Sequence, residues 1–199
     1  MKLLVATRNK GKVAELADML ADLQIKWLGL EDIPGVEEVA ETGQTFEENA
    51  KLKASGYAAQ SGLLTLADDS GLEVDALDDR PGVHTARYGG EGLSPVQRYE
   101  LLLEELRGVR WPERKARFRC VVALSTPTAM VGTASGVCEG VIALESAGEG
   151  GFGYDPIFYL PDKGRTMAQL AAGEKHRISH RGRAFAAITP LLRKILAGD

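Results

Sequence analysis

Cysteine is scarce in this 199-residue chain, which has only Cys120 and Cys138. Their number and spacing fit neither a disulfide framework nor a zinc site, so both read as small buried hydrophobes in a reduced, cytoplasmic setting. Long apolar runs are missing too, and nothing approaches the length of a membrane span. The opening Met1-Lys2-Leu3-Leu4-Val5-Ala6-Thr7 meets Arg8, Asn9 and Lys10 too soon for a secretory leader. Positive charge is not in excess. The 24 Lys and Arg against 28 Asp and Glu leave a net charge of −4, which argues against nucleic acid as a general partner. Repeats, low-complexity tracts and an obvious linker are absent, as is the Walker pattern Gly-x-x-x-x-Gly-Lys-Ser/Thr. What is present is a 44% hydrophobic chain, ordinary for a soluble globular protein and long enough for one large domain or two small lobes.

The stretch Leu63-Leu64-Thr65-Leu66-Ala67-Asp68-Asp69-Ser70-Gly71 organises the rest. It begins as a buried strand and is expected to break off at the two carboxylates, delivering charge to a sheet edge. Side chains alternate along a strand, so Asp68 and Asp69 point apart. One of them can hold a metal ion or a water while the other ties into local structure. An Asp-rich turn closed by Gly71 would use the same residues.

Lys2 to Thr7 reads as the first strand. A basic loop, Thr7-Arg8-Asn9-Lys10-Gly11-Lys12, leads into a helix striped by Val13, Leu16, Ala17, Leu20 and Leu23. Cations at a helix N-terminus oppose the dipole unless an anion meets them, so the loop is either a phosphate site or a solvated turn. Ile25 to Leu30 reads as a second strand. Thr45 and Glu48 form a capping box for a helix striped by Phe46, Ala50, Ala54, Tyr57 and Ala58. Lys53 falls inside that stripe. It either snorkels or pairs with Asp68, Asp69 or a substrate phosphate. Leu72 to Leu77 is expected to be a strand leaving the site, and 78–92 a surface loop with Arg87 and Tyr88 as possible contacts.

Ser94 and Pro95 open a further helix, and 115–125 with 130–145 makes a hairpin. Gly148-Glu149-Gly150-Gly151-Phe152-Gly153 matches Gly-x-Gly-x-x-Gly, but Pro156 disfavours the helix that a dinucleotide site needs. There remains a glycine-lined wall carrying Phe152, Tyr154 and Asp155, suited to a flat ligand or simply a mobile loop. Ser179 caps the last helix, with His180 and Arg181 in its first turn and Pro190 expected to kink it. Two basic helix starts, an Asp pair and a lysine on an apolar face together suggest a polyanion with a metal between.

Six motifs, in order along nearly the whole chain, resemble the inosine triphosphate pyrophosphatases. They are Ala6-Thr7-x-Asn9-x-Gly11-Lys12-x-x-Glu15, Glu41-Thr42-Gly43-x-Thr45-Phe46-x-Glu48-Asn49-Ala50-x-x-Lys53-Ala54, Ala67-Asp68-Asp69-Ser70-Gly71-Leu72, Pro81-Gly82-x-x-x-Ala86-Arg87-Tyr88, Gly150-Gly151-Phe152-Gly153-Tyr154-Asp155-Pro156 and Ser179-His180-Arg181-Gly182. The resemblance implies an α/β fold, an elongated mixed β-sheet with flanking helices in one domain of two lobes around a nucleotide cleft, and a homodimer.

It also implies Mg2+-dependent hydrolysis of non-canonical purine nucleoside triphosphates (ITP, dITP, XTP) to monophosphate and pyrophosphate, clearing deaminated purines. Thr7, Arg8, Asn9, Lys10, Gly11, Lys12 and Lys53 would handle the triphosphate. Asp69 would be proton acceptor and metal ligand, with Asp68 beside it and Glu41 at the metal. Ser70, Phe152, Gly153, Tyr154, Asp155, Lys175, His180 and Arg181 would contact the nucleotide. The family often has two acids before Thr-Gly; here the first is Ala40, which leaves one metal contact open. Magnesium tolerates few protein ligands. Alternatives are a modified-pyrimidine triphosphate pyrophosphatase of the related fold, or a nucleotide sensor without turnover.

Overall fold

The computed structural model describes residues 2–8, 13–14, 16–17, 20–21, 23 and 25–197. Seven strands form one sheet: β1 (Lys2–Val5), β2 (Lys26–Leu28), β3 (Leu64–Val74), β4 (Lys115–Ser125), β5 (Met130–Ile142), β6 (Phe158–Leu160) and β7 (Arg165–Thr166). Their order is β2-β1-β3-β4-β5-β6-β7. β1 pairs in parallel with both β2 and β3, with Leu3 opposite Trp27 on one side and Leu64 on the other. The consecutive buried run Leu3, Leu4, Val5 is what a parallel strand covered on both faces requires. β5, β6 and β7 pair antiparallel. The sheet is therefore mixed, with flanking helices, and the α/β class expected from the sequence holds. Among the described residues no helix is long and apolar enough to cross a membrane.

The chain divides into two compact units, Met1–Asp69 with Cys120–Ser135 and Ala184–Asp199, and Ser70–Arg119 with Gly136–Arg183. In the first, Leu3, Val5, Leu66, Val122, Phe185 and Ile188 build the main core. In the second, Leu72, Val74, Leu102, Phe118, Ile157 and Phe158 do so. Cys120 and Cys138 are buried thiols, as the composition predicts.

Helix α1 (Phe46–Ser61) starts where its capping box places it: Glu48 N donates to Thr45 Oγ1 at 3.1 Å, and Thr45 N donates to Glu48 Oε2 at 3.2 Å. Helix α2 (Pro95–Glu105) has the same device, Gln97 N donating to Ser94 Oγ at 3.2 Å. Within the expected first helix, residues 13, 14, 16 and 17 are helical. Helix α3 (Ala172–Ile178) was not legible in the sequence, nor were the short β6 and β7. Helix α4 (His180–Ala197) runs unbroken through Pro190. Thr189 Oγ1 donates to the Phe185 carbonyl at 2.7 Å in the turn that the proline interrupts.

β3 differs most from expectation. It does not stop at Asp-Asp-Ser-Gly but continues to Val74, so Leu72 to Val74 is the same strand and not a second one. The Asp69 carboxylate takes its partners from α1, so no local turn is needed to satisfy it.

Candidate active site

In the first unit, α1 projects two polar residues from its buried face, Asn49 and Lys53, one turn apart. Both reach Asp69 on β3. Asn49 Nδ2 donates to Asp69 Oδ2 at 3.2 Å, and Lys53 Nζ donates to Asp69 Oδ1 at 3.3 Å. Lys53 Nζ also lies 3.0 Å from Glu41 Oε1. Asn49 is fixed in turn, because its Oδ1 accepts the Gly43 N–H at 2.7 Å. The segment bearing Glu41 is thus tied to the strand bearing Asp69 through one amide and one ammonium.

Asp68 and Asp69 are both buried, and three carboxylates act on a single lysine. Burial alone would lower the Lys53 ammonium; Asp69, Glu41 and Asp68 outweigh it and hold the group above its ordinary value. Asp69 is pushed above the usual carboxylate range, first by burial and then by Glu41, with Lys53 and Asn49 pulling it back. Lys53 is an ion-paired residue and does not snorkel.

Thr7 and Arg8 follow β1. The Thr7 carbonyl accepts the Leu30 N–H at 3.0 Å. Both residues line a pocket of about 250 Å³ with Val13, Ala17, Gly29 and Asp32. Asn9, Lys10, Gly11 and Lys12 lie outside the described residues.

In the second unit a different group forms. Asp155 is buried, and its Oδ2 accepts from Phe152 N at 2.7 Å and from Lys175 Nζ at 2.6 Å. Gly151, at φ +76°, permits this. A Cβ there would lie 2.1 Å from Asp155 Oδ2, so the glycines approach their own chain. Phe152 is 59% exposed. Lys175 Nζ sits 4.6 Å from its ring centroid and the Arg181 guanidinium carbon 5.5 Å. Arg181 also donates to Ser70 Oγ at 3.2 Å.

Ser179 caps α4 by accepting Gly182 N–H at 3.1 Å, which sets His180 and Arg181 in the first turn as expected. Gly182 has no alternative, since a Cβ would stand 1.7 Å from the His176 carbonyl oxygen. Gly153 holds a left-handed φ of +62°.

Tyr154 is placed otherwise than an exposed ligand contact. It is buried, and its hydroxyl donates to the Thr85 carbonyl at 3.1 Å. Burial pushes its phenol well above the ordinary value. Thr85 Oγ1 accepts Leu72 N–H at 2.9 Å and donates to the Gly82 carbonyl at 2.6 Å. Tyr88 is likewise structural: its hydroxyl donates to Glu105 Oε2 at 2.7 Å, and burial together with that carboxylate takes it to about 12. Arg87 is exposed and donates to His84 Nδ1. Two residues with no role assigned from the sequence stand out: Asn49, whose signal was a polar side chain on a buried helical face, and Phe118, which stacks on His180.

The profile of the Ham1 family matches residues 3–191. The chain belongs to the Ham1 family. It is 53% identical over 185 residues to a dITP/XTP pyrophosphatase of Geobacter sulfurreducens, covering 93% of each chain. It is 48% identical over 195 residues to one of Desulforamulus reducens, covering 98% of this chain and 97% of that one. Among solved structures, a HAM1 protein from Coxiella burnetii superposes with a TM-score of 0.90 at 42% identity, covering 98% of this chain and 99% of that one. The resemblance read from the six motifs therefore holds.

Proposed function

We infer that this chain hydrolyses purine nucleoside triphosphates bearing a 6-carbonyl, dITP, XTP and ITP, to monophosphate and pyrophosphate. The observation that carries the reading is Lys53 held between Glu41 and Asp69, with Asn49 locking the second carboxylate oxygen. The relatives' names give the substrate class, and the site's chemistry agrees with it.

The donor set fits magnesium. Glu41 and Asp69 meet at Lys53, and two carboxylates suit an ion that keeps most of its waters and takes one or two such ligands. The Asp69 carboxyl is raised first by burial and then by Glu41, and a cation beside both carboxylates would relieve that cost. Asp69 and Glu41 would hold the ion, and its chemistry would be neutralisation of phosphate oxygens. Lys53 supports the developing charge on the leaving pyrophosphate. A water oxygen attacks the α-phosphorus, the bond from that phosphorus to the bridging oxygen breaks, and a carboxylate takes the water's proton. Asp69, raised by burial, is the acceptor, and it would meet the ion through a water, since one carboxylate is not both a tight direct ligand and the base in one step.

Lys175, His180 and Arg181 supply donors for a base carbonyl, and Phe152 offers an exposed face for stacking. Adenine would set its amino group against those donors, at about 1–3 kcal/mol per unpaired group. The test is a panel of nucleoside triphosphates with separate pyrophosphate and orthophosphate readouts. Pyrophosphate from dITP and XTP, at least about a hundredfold faster than from dATP, is expected. Orthophosphate as the first product, or binding without turnover, overturns the reading. The homodimer that the resemblance implies is checked by sedimentation.

A further inference from the structure

Residues 36–43 belong to no helix or strand, yet one stripe of α1 holds them. Asn49, Lys53, Tyr57 and Gln60 recur at steps of four and three and so share a helical face. They meet the segment in reverse order. Gln60 grips Glu37 as a neighbouring strand does: its Oε1 accepts the Glu37 N–H at 2.7 Å and its Nε2 donates to the Glu37 carbonyl at 3.3 Å. The Tyr57 hydroxyl accepts the Val39 N–H at 3.3 Å. Lys53 Nζ lies 3.0 Å from the Glu41 carboxylate, and Asn49 Oδ1 accepts the Gly43 N–H at 2.7 Å. Val36 and Val39 add apolar contact in the small cluster around Tyr57.

Two glycines let the segment and the helix come this close. Gly43 lies on the segment, and a Cβ there would stand 2.6 Å from Glu48 Cβ. Gly56 lies inside the helix, where glycine lowers the propensity. A Cβ on Gly56 would stand 2.8 Å from Val39 Cγ2, and the three nearest atoms all belong to Val39.

Glu41 sits at the middle of this ladder. Its carboxylate is 40% exposed, and an ion pair with an exposed partner is too weak to place a chain by itself. The contacts on either side of Glu41 must do so. We propose that Gln60, Tyr57 and Gly56 are positioning residues that lay 37–43 along α1 and thereby set where Glu41 stands relative to Asp69. This rests on the reading of Glu41 and Asp69 as the carboxylates that hold the ion. Gln60 lies nearly two helical turns beyond Lys53, so its effect on the ion travels through the segment. Loosening the segment there weakens the hold on the ion and leaves the reacting groups as they are.

The experiment uses Gly56→Ala, Gln60→Ala and Tyr57→Phe, with Glu41→Gln as the reference. Amide hydrogen exchange of the protein without metal reads the segment. Mg2+ titration of pyrophosphate release from dITP reads the site. In Gly56→Ala the Val39 and Gly43 amides should exchange about tenfold faster, while the amides of β3 keep their rates. Half-saturating Mg2+ should rise about threefold or more in Gly56→Ala and Gln60→Ala, as the loss of one hydrogen bond implies, with kcat at saturating Mg2+ within about twofold of wild type. Tyr57→Phe should move both readouts the same way. With Glu41→Gln already in place, Gly56→Ala should raise the Mg2+ requirement no further.

Unchanged exchange in Gly56→Ala and Gln60→Ala would overturn the proposal. So would faster exchange with an unchanged Mg2+ requirement, while Glu41→Gln alone raises it; the reading of the site would then stand. An unchanged requirement in Glu41→Gln removes that residue from the ion, and the proposal falls with the reading. If the wild type releases no pyrophosphate from dITP, the functional reading has failed by itself. Calorimetric titration with Mg2+ alone then replaces the kinetic one, and equal affinity in wild type and Gly56→Ala, or no binding to either, overturns the proposal.

Discussion

Replacing Lys53 with Met would remove the ammonium that Glu41 and Asp69 share while keeping the volume of the side chain. The cost divides by exposure. The Asp69 arm is buried, both side chains being 11% exposed, whereas Glu41 is 40% exposed. Removing one partner of a buried pair costs about 3–5 kcal/mol, and an exposed arm about 0–1 kcal/mol. Partial access favours the lower end, about 3 kcal/mol. In a chain of this size that corresponds to a fall in Tm of roughly 6–12 °C.

The loss should depend on pH with a definite sign. In the wild type the raised Lys53 ammonium contributes fully below its unfolded value and is lost only as pH rises through its higher folded value, so the pair is intact at pH 8. Asp69 already titrates above its unfolded value, and without Lys53 it must move further up. An acid raised in this way favours the fold while protonated and loses that advantage as pH rises. The deficit of Lys53→Met should therefore be full near pH 8 and shrink as pH falls towards about 4. Adding Asp69→Asn to Lys53→Met should restore much of the stability, because the buried carboxylate that Lys53 paired with is then gone as well. Thermal denaturation from pH 4.5 to 8.5 reads all of this, and pyrophosphate release should fall by about a hundredfold. A Tm within about a degree of wild type across the whole range, with activity kept, would show that Lys53 is a solvated side chain and that the argument is wrong.

Asp69→Asn should cut pyrophosphate release by about 10²–10⁴. At pH 7 it should not lower Tm, since it removes a carboxyl whose ionisation the fold disfavours, and the difference from wild type should vanish below about pH 4. Gly182→Ala should cost about 3 kcal/mol or prevent soluble expression, because a backbone carbonyl cannot retreat from the new methyl; an unchanged melting curve would refute that. Asp155→Asn should raise KM for dITP more than it lowers kcat, by freeing Lys175 and loosening Phe152, and unchanged steady-state constants would remove Asp155 from the site. Ala40→Glu should lower the magnesium concentration for half-maximal activity, and equal titrations would mean that position 40 is not near the ion.

The residues that announced themselves in the sequence did so through conflict between neighbouring signals. Lys53 broke an apolar stripe, and two carboxylates ended a buried run. Both conflicts are local, and both were resolved in the structure by the same contact. Helix starts at Thr45, Ser94 and Ser179 were legible because a cap is written within four residues. Asn49 escaped because a single asparagine in a helix is compatible with many surroundings, and only the position of Asp69, 20 residues away, gives it a task.

The partners of the second unit are further apart still. Arg181 meets Ser70 across 111 residues of sequence, and no periodicity encodes such a pairing. Phe152 and Tyr154 were equal candidates from the glycine run. The structure separates them by burial, leaving one at the surface and the other in the core. Asp-Asp-Ser-Gly has turn chemistry and so marks an end to β3 that the structure does not show, because side chains from α1 satisfy Asp69 within the strand.

Thr85 has a consequence for motion. The segment Gly82–Arg87 contains no buried residue, so little apolar area holds it down. Its tethers are polar and meet at one residue: the Thr85 hydroxyl takes the Leu72 amide, and the Thr85 carbonyl takes the Tyr154 hydroxyl. Lifting the segment breaks these together, and the Leu72 amide, although on a fully buried residue of a central strand, loses its acceptor at that moment. Its hydrogen-exchange rate should therefore follow the opening of a surface segment and not the unfolding of the sheet. A slow amide inside a strand would then serve as the clock for a loop.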